Sequence, residues 1–224
     1  MPVDMVESTV DLATLKQYRA VVAPTLIMVK PGVAQTLTQY VREGGTLITG
    51  YMSGIHNEFD LVVESGYPGP LRELCGVWVE EIDAIAPDAH IDVTIGGRTV
   101  HGSIVASVIE PEGAQTIATY GGDFYAGTPA ATVHTVGEGR VVFIGTALDA
   151  EGMSAVIDPV IDPVIDACGA ETVDSPEGVE VMRCTADDGT LFTTVINTAG
   201  RPVHWRHALG GEDLDLAPFE TRIM

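Results

Sequence analysis

"YRAVVAPTLIMVKPGVAQTLTQYVREGGTLITG", residues 18–50, carries two apolar runs separated by a helical pattern. Its first part, Tyr18–Leu26, is an apolar run closed by Pro24 and the turn after it, the pattern of a parallel strand covered on both faces. Pro31 suits the first turn of a helix, and Val33, Leu37, Tyr40 and Val41 recur on one helical face. Gly44 and Gly45 stop that helix, and Thr46–Tyr51 is a second apolar strand. Strand, helix and strand in this order predict the βαβ unit of a doubly wound α/β sheet.

Downstream, SGYPGPLRELCG, residues 65–76, predicts a further helix over Ser65–Cys75 with Leu71 and Leu74 facing inward. Gly66 and Gly69 permit a tight turn, Pro68 and Pro70 stiffen it, and Pro70 stands at or near the first helical position. After about residue 88 the rhythm changes to strands joined by glycine-containing turns, including a hairpin over Thr132–Gly145 that turns at Gly137–Gly139. Met153–Cys168 reads as a helix. It carries the tandem VIDPVIDPVIDA, whose period of four places Val156, Val160 and Val164 on one stripe while Pro159 and Pro163 remove backbone donors and predict a kink. From Glu171 short alternating strands, with turns at Asp188–Gly189 and Ala199–Gly200, predict a small antiparallel β domain. The expected division is 1–170 and 171–224, with the boundary near Ala170–Pro176.

The chain has 224 residues, of which 46% are hydrophobic, enough for one large or two modest cores. Its formal net charge of -21, with 11 scattered basic residues, excludes recognition of nucleic acid or of an anionic membrane, whose phosphates require Lys and Arg. Acidic self-repulsion serves solubility, and no EF-hand spacing points to calcium. No apolar run reaches the ~20 residues of a membrane helix, and MPVDMVESTVD lacks the basic start and apolar middle of a signal peptide. Cys75, Cys168 and Cys184 are odd in number and far apart, which indicates neither a disulfide framework nor a zinc knuckle. A cytoplasmic setting fits best.

Candidate chemistry is thin. Glu58 with Asp60, and Glu80 with Glu81, are close in sequence, whereas acid–base catalysis needs carboxylates converging from separate elements. In GYMSGIHNE, Ser53 and His56 lack the Gly-x-Ser-x-Gly spacing of a nucleophile elbow. Cys75 follows Leu74 on an apolar helix face and reads as a small buried hydrophobe. No phosphate-binding glycine motif is present, so no cofactor is called for. Asp158, Asp162 and Asp166 share a helical face, but metal sites usually draw ligands from more than one element, and the six histidines show no zinc spacing. In HWRH, His204 and Arg206 alternate with Trp205 and His207, an arrangement that could stack on a sugar but more simply describes a half-exposed strand.

YRAVVAPTL, REGGTLITGYMSGIHNEFD and SGYPGPLRELCGVWVEEID form an ordered series. Together they resemble the trimerisation domain of the glycoside hydrolase family 42 β-galactosidases. The resemblance runs over residues 3–170 and is sharpest between Tyr18 and Asp83; residues 171–224 resemble the small C-terminal β domain of the same family. It implies a flavodoxin-like or class I glutamine-amidotransferase-like sheet without the amidotransferase cysteine. It also implies a homotrimer formed through this domain, with loops Met52–Tyr67 at the threefold contacts. Hydrolysis of terminal β-D-galactosyl residues, through two glutamates and with retention, then belongs to a (β/α)₈ barrel that this sequence does not contain. No catalytic, cofactor or metal residue is carried over; this chain alone is expected to be inactive and to meet galactoside only through that barrel. Ser53, Gly54, Asp60, Tyr67, Pro68, Gly69, Pro70, Arg72 and Glu73 are the structural or interface candidates, Arg72 and Glu73 as orienting charges near the barrel mouth. Against the family's sheet, VDMV at residues 3–6 looks like the second strand, so the first strand and helix are expected to be missing and the chain to be a fragment. A free-standing amidotransferase-like hydrolase, with a nucleophile after the Thr46–Tyr51 strand, and a sugar-binding module built on Trp205 or Tyr67 are the alternatives.

Overall fold

The computed structural model describes residues 3–64, 66–168, 173–186, 188–206 and 208–224. They form two compact units, one of Glu7–Val164 and one of Ile165–Met224 with the segment ending at Val6.

The larger unit opens with a single helical turn, α1 (Leu12–Leu15), whose Asp11 cap accepts the Thr14 N–H at 2.8 Å. Strand β1 (Ala20–Ala23), helix α2 (Val33–Arg42) and strand β2 (Thr46–Gly50) then form the expected parallel βαβ unit, with Ala20 opposite Thr46 and Ala23 opposite Thr49. The first strand is shorter than its apolar run. Beyond Pro24 the chain leaves the sheet, and Met28 pairs instead with His56. Val33, Ala34, Leu37, Tyr40 and Val41 are the buried face of α2, and the Tyr40 hydroxyl donates to the Tyr18 carbonyl at 3.1 Å.

The expected helix over Ser65–Cys75 is only a 3₁₀ turn, Gly69–Leu71, running into α3 (Arg72–Cys75). Two prolines in the six residues before Leu71 leave too few backbone donors for a longer helix. Leu71 and Leu74 do face inward. Strands β3 (Val77–Ala84), β4 (Ile91–Ile95), β5 (Arg98–Pro111), β6 (Gln115–Tyr120), β7 (Pro129–Val136), β8 (Gly139–Ile144) and β9 (Thr146–Leu148) follow, then α4 (Ala150–Cys168).

The sheet order is β1-β2-β8-β7-β6-β4-β5-β3, with β9 on β5. Only β1, β2 and β8 run parallel; the remaining pairs are antiparallel, including the expected β7–β8 hairpin. The architecture is therefore a mixed α/β sheet. Its core packs Leu37 and Val41 of α2 with Leu47, Val141, Phe143, Leu71 and Val77. Each such side chain contributes roughly 1.5–3 kcal/mol by leaving water.

VDMV is not a strand. Residues 3–6 pair with no strand among the described residues, and Val3, Met5 and Val6 are exposed. Alternation alone does not make a strand; without a neighbour an extended segment gains no ladder hydrogen bonds. The acids Glu80 and Glu81 also depart from simple alternation. A bulge between Val79 and Glu81 leaves both exposed on β3.

Helix α4 runs through both of its prolines. Val156 and Val160 are buried on its inner stripe, and Arg140 donates to the Val160 carbonyl at 3.2 Å. Asp158, Asp162 and Asp166 are exposed, and among the described residues they do not gather as metal ligands.

The smaller unit holds β10 (Val179–Thr185), β11 (Leu191–Asn197), β12 (Val203–Trp205), β13 (Leu214–Leu216) and β14 (Thr221–Ile223). They form an antiparallel three-stranded sheet, β10-β11-β14, and a β12–β13 pair. Val179, Val195, Val203, Trp205 and Leu216 make its core. Asn197 is fully buried with its polar atoms matched: its amide donates to the Arg201 and Ala217 carbonyls at 2.9 and 2.8 Å, and its oxygen accepts from Ala199 at 2.9 Å. No described helix is long and apolar enough to cross a membrane.

Candidate functional site

The connection from β2 to α3 contains two loop segments that fold against each other: 51–64, which leaves the end of β2, and 66–71, which leads into α3. Their junction is built from backbone. Gly54 has φ +69°, and a β-carbon there would stand 2.5 Å from the Pro68 carbonyl carbon and closer still to its oxygen. Gly69, at φ +55°, is pressed in turn against the Gly54 carbonyl. Only residues without a side chain allow this approach. The Tyr67–Pro68 peptide is cis. Tyr67 is half-buried and bridges Val79, whose N–H donates to the Tyr67 carbonyl at 2.8 Å.

Ser53 secures the first loop from beneath. It is buried, its hydroxyl lies 3.0 Å from that of Thr49, and it accepts the Leu26 N–H at 3.1 Å. Gly54 N–H donates to the Leu26 carbonyl at 2.8 Å, His56 N–H donates to the Ile27 carbonyl at 2.9 Å, and the His56 carbonyl accepts the Val29 N–H at 3.1 Å. The loop's outer turn is closed by Asn57, whose side-chain oxygen accepts from Phe59 and Leu61 at 3.0 and 3.1 Å. Asp60, with φ +61°, turns back to meet His56 Nδ1 at 2.6 Å. That turn presents Phe59, Leu61 and Val62 at 74%, 61% and 55% exposure. It borders a groove of about 890 Å³ lined in part by Lys30, Gln35, Glu58 and Leu61.

The second loop is anchored by charge and burial. Arg72 grips Glu112 through two hydrogen bonds, Nε at 2.6 Å and a second from its terminal nitrogen, and its guanidinium lies 5.3 Å from the Trp78 ring centre. The hydrogen bond from Arg72 holds the Glu112 carboxyl below the usual carboxylate range. Pro70 and Glu73 are exposed, and Pro68 is buried at the junction. His134 Nδ1–H donates to the Leu74 carbonyl at 3.0 Å.

The predicted candidates thus divide. Ser53, Gly54, Pro68 and Gly69 form the frame, Arg72 pins it, and Asp60, Pro70 and Glu73 lie on its surface. The apolar tip of Phe59, Leu61 and Val62 was missed by the sequence reading. The signal was there: three large apolar residues within four positions of a polar loop, which a strand-and-helix scan passes over.

Catalytic readings find no geometry here. The Ser53 hydroxyl is engaged by Thr49 and Leu26, and His56 by Asp60, so neither serves the other. Cys75 has no exposure, and burial pushes its thiol up to about 12, far from a thiolate at neutral pH. Trp205, proposed as a sugar platform, is buried in the core of the smaller unit; His207 lies outside the described residues.

With this geometry established, comparison with known proteins places the chain. The β-galactosidase trimerisation domain family matches residues 1–164. β-Galactosidase BgaP of Planococcus sp. strain L4 is 41% identical over 202 residues, which are 87% of this chain and 29% of that protein. β-Galactosidase LacA of Lactobacillus acidophilus is 39% identical over 181 residues, 80% of this chain and 26% of that protein. The cold-adapted β-galactosidase of Rahnella sp. R3 superposes with a TM-score of 0.83 at 31% identity, covering 100% of this chain and 34% of that one. The chain therefore spans about a quarter to a third of the length of these relatives. It belongs to the β-galactosidase trimerisation domain family of the glycoside hydrolase family 42 enzymes.

Proposed function

We propose that this chain is the non-catalytic assembly part of a β-galactosidase. It acts in a homotrimer, and a partner (β/α)₈ barrel hydrolyses terminal β-D-galactosyl residues. One observation carries the reading: residues matching a trimerisation domain build a rigid loop face whose tip offers Phe59, Leu61 and Val62 to solvent. An apolar tip on a backbone-locked frame suits burial against another copy, because little conformational entropy is lost on docking. The three parallel strands with their crossover helix support a flavodoxin-like or amidotransferase-like origin for the sheet. The domains we infer are residues 1–170 and 171–224. Free thiols at Cys75 and Cys184 support a cytoplasmic setting.

The alternatives are less well supported: Ser53 and His56, which follow β2, are each engaged elsewhere, and of the two aromatic residues expected to form a sugar platform Trp205 is buried and Tyr67 half-buried. Assay of the purified chain on a chromogenic β-galactoside, beside a full-length family enzyme, tests the reading. This chain is expected to show no turnover. Turnover that survives purification and is lost in Glu73→Gln or Glu80→Gln contradicts it.

A further inference from the structure

On the outer face of the β4–β5 hairpin, three side chains with metal-binding atoms converge. His90 immediately precedes β4, Asp92 lies two residues on and so on the same face, and His101 is directly opposite Asp92 on β5. Asp92 Oδ1 lies 3.2 Å from His101 Nδ1, and the His90 and His101 rings meet edge-on with centres 4.4 Å apart. One ligand atom from each residue lies within 4.8 Å of the others. Among the described residues this is the one such group of three.

We propose that His90, Asp92 and His101 form a binding site for a divalent transition-metal ion of the zinc class. Two imidazoles and a carboxylate are the donor set that zinc, cobalt and nickel accept, with remaining positions filled by water. Metal bonds of ~2.0 Å place neighbouring ligand atoms ~3.3 Å apart in a tetrahedron, close to the Asp92–His101 separation already present. Rotation of the exposed His90 side chain closes the third position.

The backbones beneath these ligands are fixed. His101 and Asp149 are tied by two bonds, His101 N–H to the Asp149 carboxylate at 3.0 Å and Asp149 N–H to the His101 carbonyl at 2.8 Å. The Asp92 carbonyl accepts the Gly121 N–H at 2.7 Å. Such outer contacts preorganise a metal site. A surface ion pair would account for Asp92 with His101, but not for a second imidazole set against the first. His204 shows the contrast: its two nitrogens face Asp215 and Asp213 at 2.6 and 3.7 Å, a lone imidazole among carboxylates.

Zinc titration by calorimetry tests the proposal, with cobalt absorption as a geometric readout. The wild-type chain binds one ion, and excess magnesium, which prefers oxygen ligands, does not displace it. His90→Gln and His101→Gln each weaken binding at least tenfold, as even outer contacts do at metal sites, while His204→Gln leaves it intact. Circular dichroism confirms that the variants are folded. Should a variant unfold, the wild type alone decides: bound cobalt shifts the ring protons of His90 and His101 in proton NMR. Absence of stoichiometric binding, displacement by magnesium, undiminished binding in the His90→Gln/His101→Gln double variant, or cobalt shifts at His204 instead overturns the proposal.

Discussion

Gly54 and Gly69 meet backbone against backbone, each in the left-handed region, so that the loop carrying the exposed tip and the loop after it share one junction. The strength of that junction is measurable. Gly54→Ala drives a β-carbon into the Pro68 carbonyl, and the expected loss is about 3 kcal/mol or more by denaturant unfolding, because main chain rather than a flexible side chain must yield. Gly96→Ala is the control: its φ is +56° with open space around it, so only the ~1–2 kcal/mol of left-handed backbone strain is lost. Equal losses at the two positions would show that the loops are not locked together.

Cysteine reactivity separates burial from chemistry. Cys184 is exposed and Cys75 is enclosed with its thiol pushed up to about 12. Alkylation of the native protein at neutral pH, followed by peptide mass analysis, is expected to label Cys184 and to leave Cys75 unlabelled until denaturant is added. Rapid native labelling of Cys75 would reopen the nucleophile reading.

The grip of Arg72 on Glu112 predicts a pH dependence. The Glu112 carboxyl is held low by the hydrogen bond from Arg72, so its folded pKa lies beneath its unfolded one. Its contribution is therefore present above the unfolded value of ~4.3 and is lost as pH falls through the folded value. Unfolding midpoints of the wild type and Glu112→Gln are expected to differ at pH 7 and to converge as pH falls through the folded value. A difference that persists unchanged into acid would mean that the substitution costs packing, not charge. Since both side chains are partly exposed, the pH 7 difference should also shrink in high salt.

Local periodicity made the parallel βαβ unit legible, because Val33, Leu37, Tyr40 and Val41 mark one helix face and Gly44 with Gly45 mark its end. The β7–β8 hairpin was equally plain. Long-range pairing was not. Nothing in the alternation of VDMV says that among the described residues it joins no sheet, and nothing in β3–β6 says that these strands run antiparallel within the same sheet as β2. Pro68 and Gly69 of the frame could be named from SGYPGP, and Ser53 and Gly54 from MSGIHNE, whereas the exposure of Phe59, Leu61 and Val62 is a tertiary fact. The meeting of His90 with His101 depends on strand register across a turn at Gly96–Gly97, and residue spacing alone carries no sign of it.

Association through the loop face predicts a mass that light scattering at low and high salt can read. Each copy carries a net charge of -21, so like-charge repulsion opposes assembly until salt screens it beyond ~8 Å. The isolated chain is expected to be a monomer or a weak trimer whose mass rises with salt. A longer protein that also carries the barrel is expected to be a trimer, reduced to a monomer by Leu61→Asp at the exposed tip. If that longer protein stays monomeric at every salt concentration, or if Leu61→Asp leaves a trimer unchanged, the loop face is not the subunit contact.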